Sequence, residues 1–111
     1  WYNSYFHIMD KHNIVYSPSK IKFSIPFDLY TKGLYMRRWK EGDVILSATS
    51  KKHILISDLY INNKLSTLGK LIHPIIVDKA DRILWVPGMA HAELQEKPTK
   101  QKIKVIEWIQ A

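Results

Sequence analysis

The sequence predicts one small domain of mixed α and β structure, in which antiparallel strands outnumber one or two short helices. Three observations support this class. Several short segments alternate apolar and polar residues with the period of two that is typical of strands, and turn residues separate them. One segment near the middle has apolar residues at helical spacing instead. The 111 residues, 46% of them hydrophobic, suit a single domain with a buried core.

The first part of the chain is predicted to form strands. Residues 5–9 and 14–16 are rich in β-forming side chains and flank a polar segment, which indicates an N-terminal hairpin. Residues 21–25 alternate apolar side chains with lysine and serine, the pattern of a half-buried strand. Residues 34–39 predict a further strand, closed by a turn at residues 42–43.

The period changes after residue 56, where a short helix is predicted. Ser57 is the expected N-cap, and Asp58 suits the positive end of the helix dipole. A second helical turn is expected at residues 67–71 and should end before Pro74. The apolar positions at roughly helical spacing are Leu59, Ile61 and Leu65.

The plainest hairpin signal lies in the second half of the chain. Residues 74–78 and 82–86 are apolar runs on either side of a Lys-Ala-Asp turn, and a Pro-Gly turn follows them. A last strand is predicted over residues 103–109, behind a lysine-rich segment. The positions expected to share one core are Leu59, Ile61, Ile75, Val77, Leu84 and Val86.

Nothing in the sequence indicates an active site or a metal site within the chain. There is no cysteine, and the five histidines lack the short pairings typical of metal ligands. The four glycines are too scattered to form a phosphate-binding loop, and no nucleophile elbow is present. The apolar runs are far too short to span a bilayer.

Positive charge is the feature that points to a partner. The chain has 17 Lys and Arg against 10 Asp and Glu, a net charge of +7, which fits either a polyanionic partner or a need for solubility. Residues 32–70 contain eight of these cations and three acids. Arginine and lysine both suit a sugar-phosphate backbone. The alternative is that Arg37 pairs with Asp43 across a turn while the lysines are simply hydrated.

Four stretches carry a resemblance to a known family. They are the run Arg37-x-Trp39-x-x-Gly42-Asp43, the segment SDLYINNKL, a basic residue four positions before a proline (Lys70 and Pro74), and the segment PIIVDKADRILWVPG. In their order and spacing, from about residue 20 to residue 92, they resemble the C-terminal domain of bacterial tRNA(Ile)-lysidine synthases. Residues 1–19, read as the N-terminal hairpin, and the lysine-rich tail match loosely.

The resemblance implies that residues 1–111 form a single C-terminal tRNA-binding domain of a longer, cytoplasmic ligase, and the start at Trp1 also suggests a fragment. In the implied reaction of tRNA modification, ATP with magnesium adenylates the wobble cytidine of an isoleucine tRNA with a CAU anticodon, and lysine displaces AMP to give lysidine. The catalytic, ATP-binding loop belongs to the N-terminal domain, so no catalytic residue, metal or cofactor is expected here. The implied fold is a small α+β domain with an antiparallel, sandwich-like sheet, similar to a domain of the phenylalanyl-tRNA synthetase beta subunit.

The resemblance and the charge pattern together predict the site. The expected tRNA-binding residues are Arg37, Arg38, Lys51, Lys52, Lys64 and Lys70, with Lys100 and Lys102 as weaker candidates. The residues expected to maintain local structure are Trp39, Gly42, Asp43, Asp58 and Pro74. The expected partners are the tRNA and the enzyme's own catalytic domain, with a homodimer left open and no membrane.

A second hypothesis is a protein-interaction or dimerisation module that makes no direct RNA contact. Its support is the aromatic content, some of which could form an apolar interface. The residues concerned are Trp1, Tyr2, Tyr5, Trp39 and Trp108.

Overall fold

The computed structural model describes residues 4–10, 22–94 and 103–110. In chain order the elements of these ranges are β1 (Ser4–Asp10), β2 (Lys22–Pro26), α1 (Phe27–Lys32), β3 (Leu34–Arg37), β4 (Val44–Leu46), β5 (His53–Leu55), α2 (Ile56–Asn62), α3 (Thr67–Ile72), β6 (Ile75–Asp78), β7 (Ile83–Val86), β8 (Ala90–His91) and β9 (Ile103–Gln110). The predicted α+β class with antiparallel sheets and few, short helices is confirmed.

The first sheet joins the two ends of the chain. Its order is β1-β9-β2, and both neighbours of β9 run antiparallel to it. The register places Phe6 opposite Trp108 and Phe23 opposite Ile106, so these four side chains share one face. The strands predicted at residues 5–9, 21–25 and 103–109 are therefore confirmed. The second strand of the predicted N-terminal hairpin, residues 14–16, lies outside the described residues.

The second sheet contains the predicted hairpin of residues 74–86. Its order is β3-β6-β7-β8, all antiparallel, and a β-bulge interrupts the register between Ile76 and Val77. The strand predicted over residues 34–39 ends earlier, at Arg37. Both faces of β6 and β7 are buried, which explains their continuous apolar sequence.

A hairpin of β4 and β5 is the main feature that the sequence did not reveal. Each strand has three residues, too few for an alternating pattern to stand out. The hairpin joins the second sheet through a bridge between Ser47 and Ala92. Ile45 is buried beneath it, whereas Val44, Leu46 and Leu55 are exposed on its outer face.

The helices differ from the prediction in number and in one cap. The helix α1 was not predicted; it ends at Gly33, whose φ of 113° is readily adopted by glycine. The predicted N-cap at Ser57 is wrong, because β5 runs directly into α2 and the first free amide, that of Ile56, donates to the carbonyl of Asp43 at 3.0 Å. The helix predicted at residues 67–71 is confirmed as α3, and the hydroxyl of Ser66 caps it.

The core consists of two clusters separated by the second sheet. The first core cluster lies between the two sheets and contains Phe23, Ile25, Leu29, Ile76, Leu84, Trp85, Ile106 and Trp108. The second core cluster lies between the second sheet, the β4–β5 hairpin and α2, and contains Ile45, Ile56, Tyr60, Ile75, Val77, Ile83, Val86 and Ala92. None of the helices in the described ranges is long and apolar enough to cross a membrane.

The predicted core is partly correct. Ile75, Val77 and Val86 lie in the second core cluster, and half-buried Leu59 packs against it. Leu84 is also buried but belongs to the first core cluster, because the bulge in the hairpin interrupts the regular alternation of faces. The prediction that Ile61 belongs to the core is wrong, because this side chain lies on the outer face of α2 and is 61% exposed.

Candidate nucleic-acid interface

Arg37, at the end of β3, is the centre of an ion-pair network. Its terminal nitrogens donate to the two carboxylate oxygens of Asp43 at 2.8 and 3.1 Å, and its Nε donates to Asp81 at 2.8 Å. One terminal nitrogen also donates to the carbonyl of Arg38. The alternative raised from the sequence, that Arg37 pairs with Asp43, is what the structure shows. The guanidinium is therefore engaged on all three nitrogens.

The charges of the network stabilise one another. The hydrogen bond with Asp43 raises the pKa of Arg37, against a smaller opposing effect of burial. Burial would raise the pKa of Asp43, but the hydrogen bonds from Arg37 and from the backbone of Lys40 together lower it. The bond with Arg37 also lowers the pKa of Asp81, which is the last residue of the predicted Lys-Ala-Asp turn. No spacing rule indicated a pair 44 positions apart.

Asp43 and its neighbours organise the turn after β3. The amide of Lys40 donates to the Asp43 carboxylate at 2.7 Å, and the amide of Asp43 donates to the carbonyl of Lys40 at 3.1 Å. Gly42 has a φ of 90°, which glycine adopts at the third position of such a turn. Trp39 packs edge-on against buried Tyr60, with ring centroids 5.7 Å apart. Arg38 follows β3 and is exposed.

The turn between β4 and β5 presents two of the predicted lysines. Buried Ser47 holds this turn, because its hydroxyl accepts hydrogen bonds from the amides of Thr49 and Ser50. Lys51 has a φ of 62°, an uncommon conformation for a residue with a side chain, and its Nζ lies 2.8 Å from a carboxylate oxygen of Glu93. The side chain of Lys52 is exposed and has no partner among the described residues.

The other two predicted lysines lie in the turn between α2 and α3 and in α3 itself. Lys64 is exposed and has a φ of 57°, in the turn where the amide of Leu65 donates to the carbonyl of Tyr60. Lys70 lies in the last turn of α3 and is half-buried. In the described ranges neither lysine has a carboxylate partner. Asp58 is exposed in the first turn of α2, and Pro74 is buried just beyond α3.

The six predicted binding residues are thus spread over three turns, a strand and a helix. Arg37 and Lys51 have carboxylate partners, whereas Lys52, Lys64 and Lys70 do not among the described residues. Their contact with tRNA stays a prediction. Lys100 and Lys102 lie outside the described residues.

An open groove of about 800 Å³ runs beside the network and was not anticipated from the sequence. It is lined by the exposed apolar side chains of β4 and by three carboxylates, two of which belong to the network. The carboxylates are Asp43, Asp81 and Glu93. In the described part of the chain, no cluster of three or more histidine, aspartate or glutamate side chains could hold a metal ion.

Comparison with known proteins confirms the resemblance found in the sequence. Over 60 residues the chain is 37% identical to the tRNA(Ile)-lysidine synthases of Thermotoga sp. (strain RQ2) and of Thermotoga maritima. The matched segment covers 53% of this chain and 14% of the length of each relative. No family model matches the chain.

The fold has a counterpart of known structure. The crystal structure of a TilS C-terminal domain superposes with a TM-score of 0.82, over 97% of this chain and 85% of that chain. The two sequences are 17% identical. The match confirms the predicted fold.

Proposed function

We propose that this chain is the tRNA-binding C-terminal domain of a tRNA(Ile)-lysidine synthase. The local similarity to two such enzymes and the shared fold support this assignment. The observation that carries the binding role is the set of lysines without carboxylate partners, Lys52, Lys64 and Lys70, on turns and a helix end whose backbone is held by hydrogen bonds. Lysine in this setting acts as a point charge for phosphates.

In this proposal the chemistry belongs to another part of the enzyme. The catalytic domain would use ATP with magnesium to activate the wobble cytidine of an isoleucine tRNA with a CAU anticodon, in the cytoplasm, and would transfer lysine to it. The present chain would hold the tRNA while that reaction takes place. Its own partners would then be the tRNA and the catalytic domain, with homodimerisation as a separate question.

Arg37 has a positioning role in this proposal. Because its guanidinium nitrogens already bind Asp43, Asp81 and the Arg38 carbonyl, a phosphate would have to displace one of them. The network instead fixes the turn between β3 and β4 against the turn between β6 and β7. Lys51 lies between these two cases, the bound Arg37 and the lysines without partners. A phosphate could bind its exposed ammonium group only in competition with Glu93.

A gel-shift titration tests the binding role. The 111-residue chain is titrated with isoleucine tRNA and with a control tRNA at two salt concentrations, beside the variant Lys51→Ala/Lys52→Ala/Lys64→Ala/Lys70→Ala. Phosphate contacts are largely independent of base identity, so the variant should bind both tRNAs more weakly. Each lost contact should lower the slope of log affinity against log salt by about 0.7 to 0.9.

A charge-matched control separates contact from net charge. Lys52→Ala/Lys64→Ala removes two positive charges without partners, and Lys22→Ala/Lys40→Ala removes two that lie near carboxylates, of Glu107 and Asp81. We expect the first pair to weaken binding and the second to change it little. A folded four-lysine variant with unchanged affinity and salt slope would exclude the binding role.

One observation favours the alternative of a protein-interaction module. Val44, Leu46 and Leu55 form an exposed apolar strip on the outer face of the β4–β5 hairpin, beside the open groove. If this strip binds protein, Leu46→Ser/Leu55→Ser should weaken association with a separately supplied catalytic domain in a manner insensitive to salt. RNA binding, in contrast, should fall steeply with salt.

A further inference from the structure

A second basic site lies between α1 and the turn that joins β6 to β7. A surface pocket of about 600 Å³ is lined there by Lys32, at the end of α1, and by Lys79 and Arg82, in the turn. The wall also contains Thr31 and the carboxylate of Asp78. Neither Lys32, Lys79 nor Arg82 was among the predicted binding residues, because they are separated by up to 50 positions and only the fold brings them together.

The one carboxylate in this pocket is already engaged. One oxygen of Asp78 accepts from the amides of Ala80 and Arg82 at 3.0 and 2.8 Å, and the other accepts from Arg82 Nε at 3.0 Å. This arrangement fixes Arg82 through its Nε and leaves both terminal nitrogens without a partner among the described residues. A fork held in this way is suited to a phosphate oxygen.

The two lysines add charge that the surrounding residues do not compensate. Lys32 and Lys79 are both exposed, and within the described ranges their side chains form no ion pair or hydrogen bond. The pocket therefore has three cations against one carboxylate. The Thr31 hydroxyl already donates to the carbonyl of Asp28 at 2.9 Å, so the preference comes from the three cations. A site of this composition favours a dianion or a chain of phosphates over an apolar ligand.

The pocket is separate from the lysines of the β4–β5 turn. Arg37 binds both Asp43, just before β4, and Asp81, so the start of β4 lies beside the turn of residues 79–82. Just beyond the other end of β4, the amide of Ala48 donates to the carbonyl of His91 in β8. The two basic sites thus lie near opposite ends of β4. The four residues from Val44 to Ser47 span about 13 Å at the usual rise of a strand.

We propose that this pocket is a second phosphate-binding site, which holds the RNA backbone at a point distant from the β4–β5 turn. The proposal rests on the function proposed above and identifies a further part of the same interface. A tRNA that contacted both sites would lie along the direction of β4. Arg82 would supply the fork, while Lys32 and Lys79 would supply point charges.

The test is the affinity of the 111-residue chain for tRNA after removal of the two lysines. Lys32→Ala/Lys79→Ala should lower the salt slope by about 1.4 to 1.8, which corresponds to roughly 25- to 60-fold weaker binding at 0.1 M salt if the full slope applies up to 1 M. The control variant Lys22→Ala/Lys40→Ala makes the same change in net charge. It should lower the affinity less than about 2-fold, because neither lysine is assigned a phosphate contact. The variant Lys32→Arg/Lys79→Arg should bind tRNA as tightly as the unaltered chain, because it keeps both positive charges.

The outcomes separate this proposal from the one above. If Lys32→Ala/Lys79→Ala, shown to be folded by its melting curve, behaves like the control pair, the pocket is not a phosphate site, even when the four-lysine variant loses binding. If the pocket variant loses binding and the four-lysine variant does not, the phosphate site in the pocket is supported, and Lys51, Lys52, Lys64 and Lys70 are wrongly assigned. If the unaltered chain binds no tRNA at low salt, both proposals fail.

Discussion

Removal of the Arg37 side chain should destabilise the fold, because it leaves a largely buried carboxylate without its main partner. The side chain of Asp43 is 12% exposed and that of Arg37 is 21% exposed, so the pair is only partly screened by water. Breaking a fully buried pair from one side costs about 3–5 kcal/mol, and a charged hydrogen bond contributes about 1.5–3 kcal/mol. Since the backbone amide of Lys40 still binds Asp43, we expect Arg37→Ala to cost about 2–4 kcal/mol.

The assay is urea denaturation of the chain and its variants. Arg37→Lys keeps the charge but loses the fork, so its stability should lie between those of Arg37→Ala and the unaltered chain. In an Asp43→Asn background Arg37→Ala should cost clearly less, because the two residues act as a pair. A cost below about 1 kcal/mol, or the same cost in both backgrounds, would refute the reasoning.

The pH dependence of the same pair gives a second readout. The pKa of Asp43 is lower in the folded chain than its ordinary value, so the unfolded chain binds a proton more readily than the folded chain. The contribution of the ionised Asp43 to the free energy of unfolding is therefore present in full above about pH 4, and it is lost as the pH falls through the folded-state pKa. In Arg37→Ala this acid-side loss of stability should be smaller.

Three further predictions concern the core and the caps. Leu84→Ala should cost about 2–5 kcal/mol in the same denaturation assay, since Leu84 is fully buried, and an unchanged midpoint would contradict its place in the first core cluster. His73 is buried between Tyr60 and Trp108, and burial lowers its pKa. Its contribution to stability should therefore be full above about pH 6.5 and should be lost as the pH falls below that value; a denaturation midpoint that stays constant or rises on acidification would be inconsistent with a buried neutral imidazole. Ser66→Ala should cost about 0.5–2 kcal/mol because its hydroxyl caps α3, whereas Ser57→Ala should change stability by less than about 0.5 kcal/mol; equal effects would mean that the cap is misassigned.

The elements that could be predicted are those whose pattern is long enough to be seen locally. The strands β2, β6, β7 and β9 have alternating or continuous apolar runs, and α3 ends just before His73 and Pro74. The strands β4 and β5 have three residues each, so no period emerges from them. The helix α1 is as long as α3, but it follows Pro26 without a side-chain cap, whereas Ser66 and Pro74 mark the two ends of α3. The wrong cap at Ser57 has the same origin, because the amide that a cap would satisfy is bound by Asp43, 13 positions earlier than Ile56.

By itself, the sequence determined the α+β class, the excess of positive charge in residues 32–70 and the resemblance to lysidine synthases. These follow from composition, from side-chain periods of two to four residues and from short motifs, all of which are local. Only the tertiary structure decided that Arg37 binds Asp81, that Lys51 has Glu93 beside it and that Lys32 and Lys79 share a pocket. Those pairs are set by which strands and turns become neighbours, and electrostatic partners chosen in that way leave no spacing in the chain by which they could be recognised.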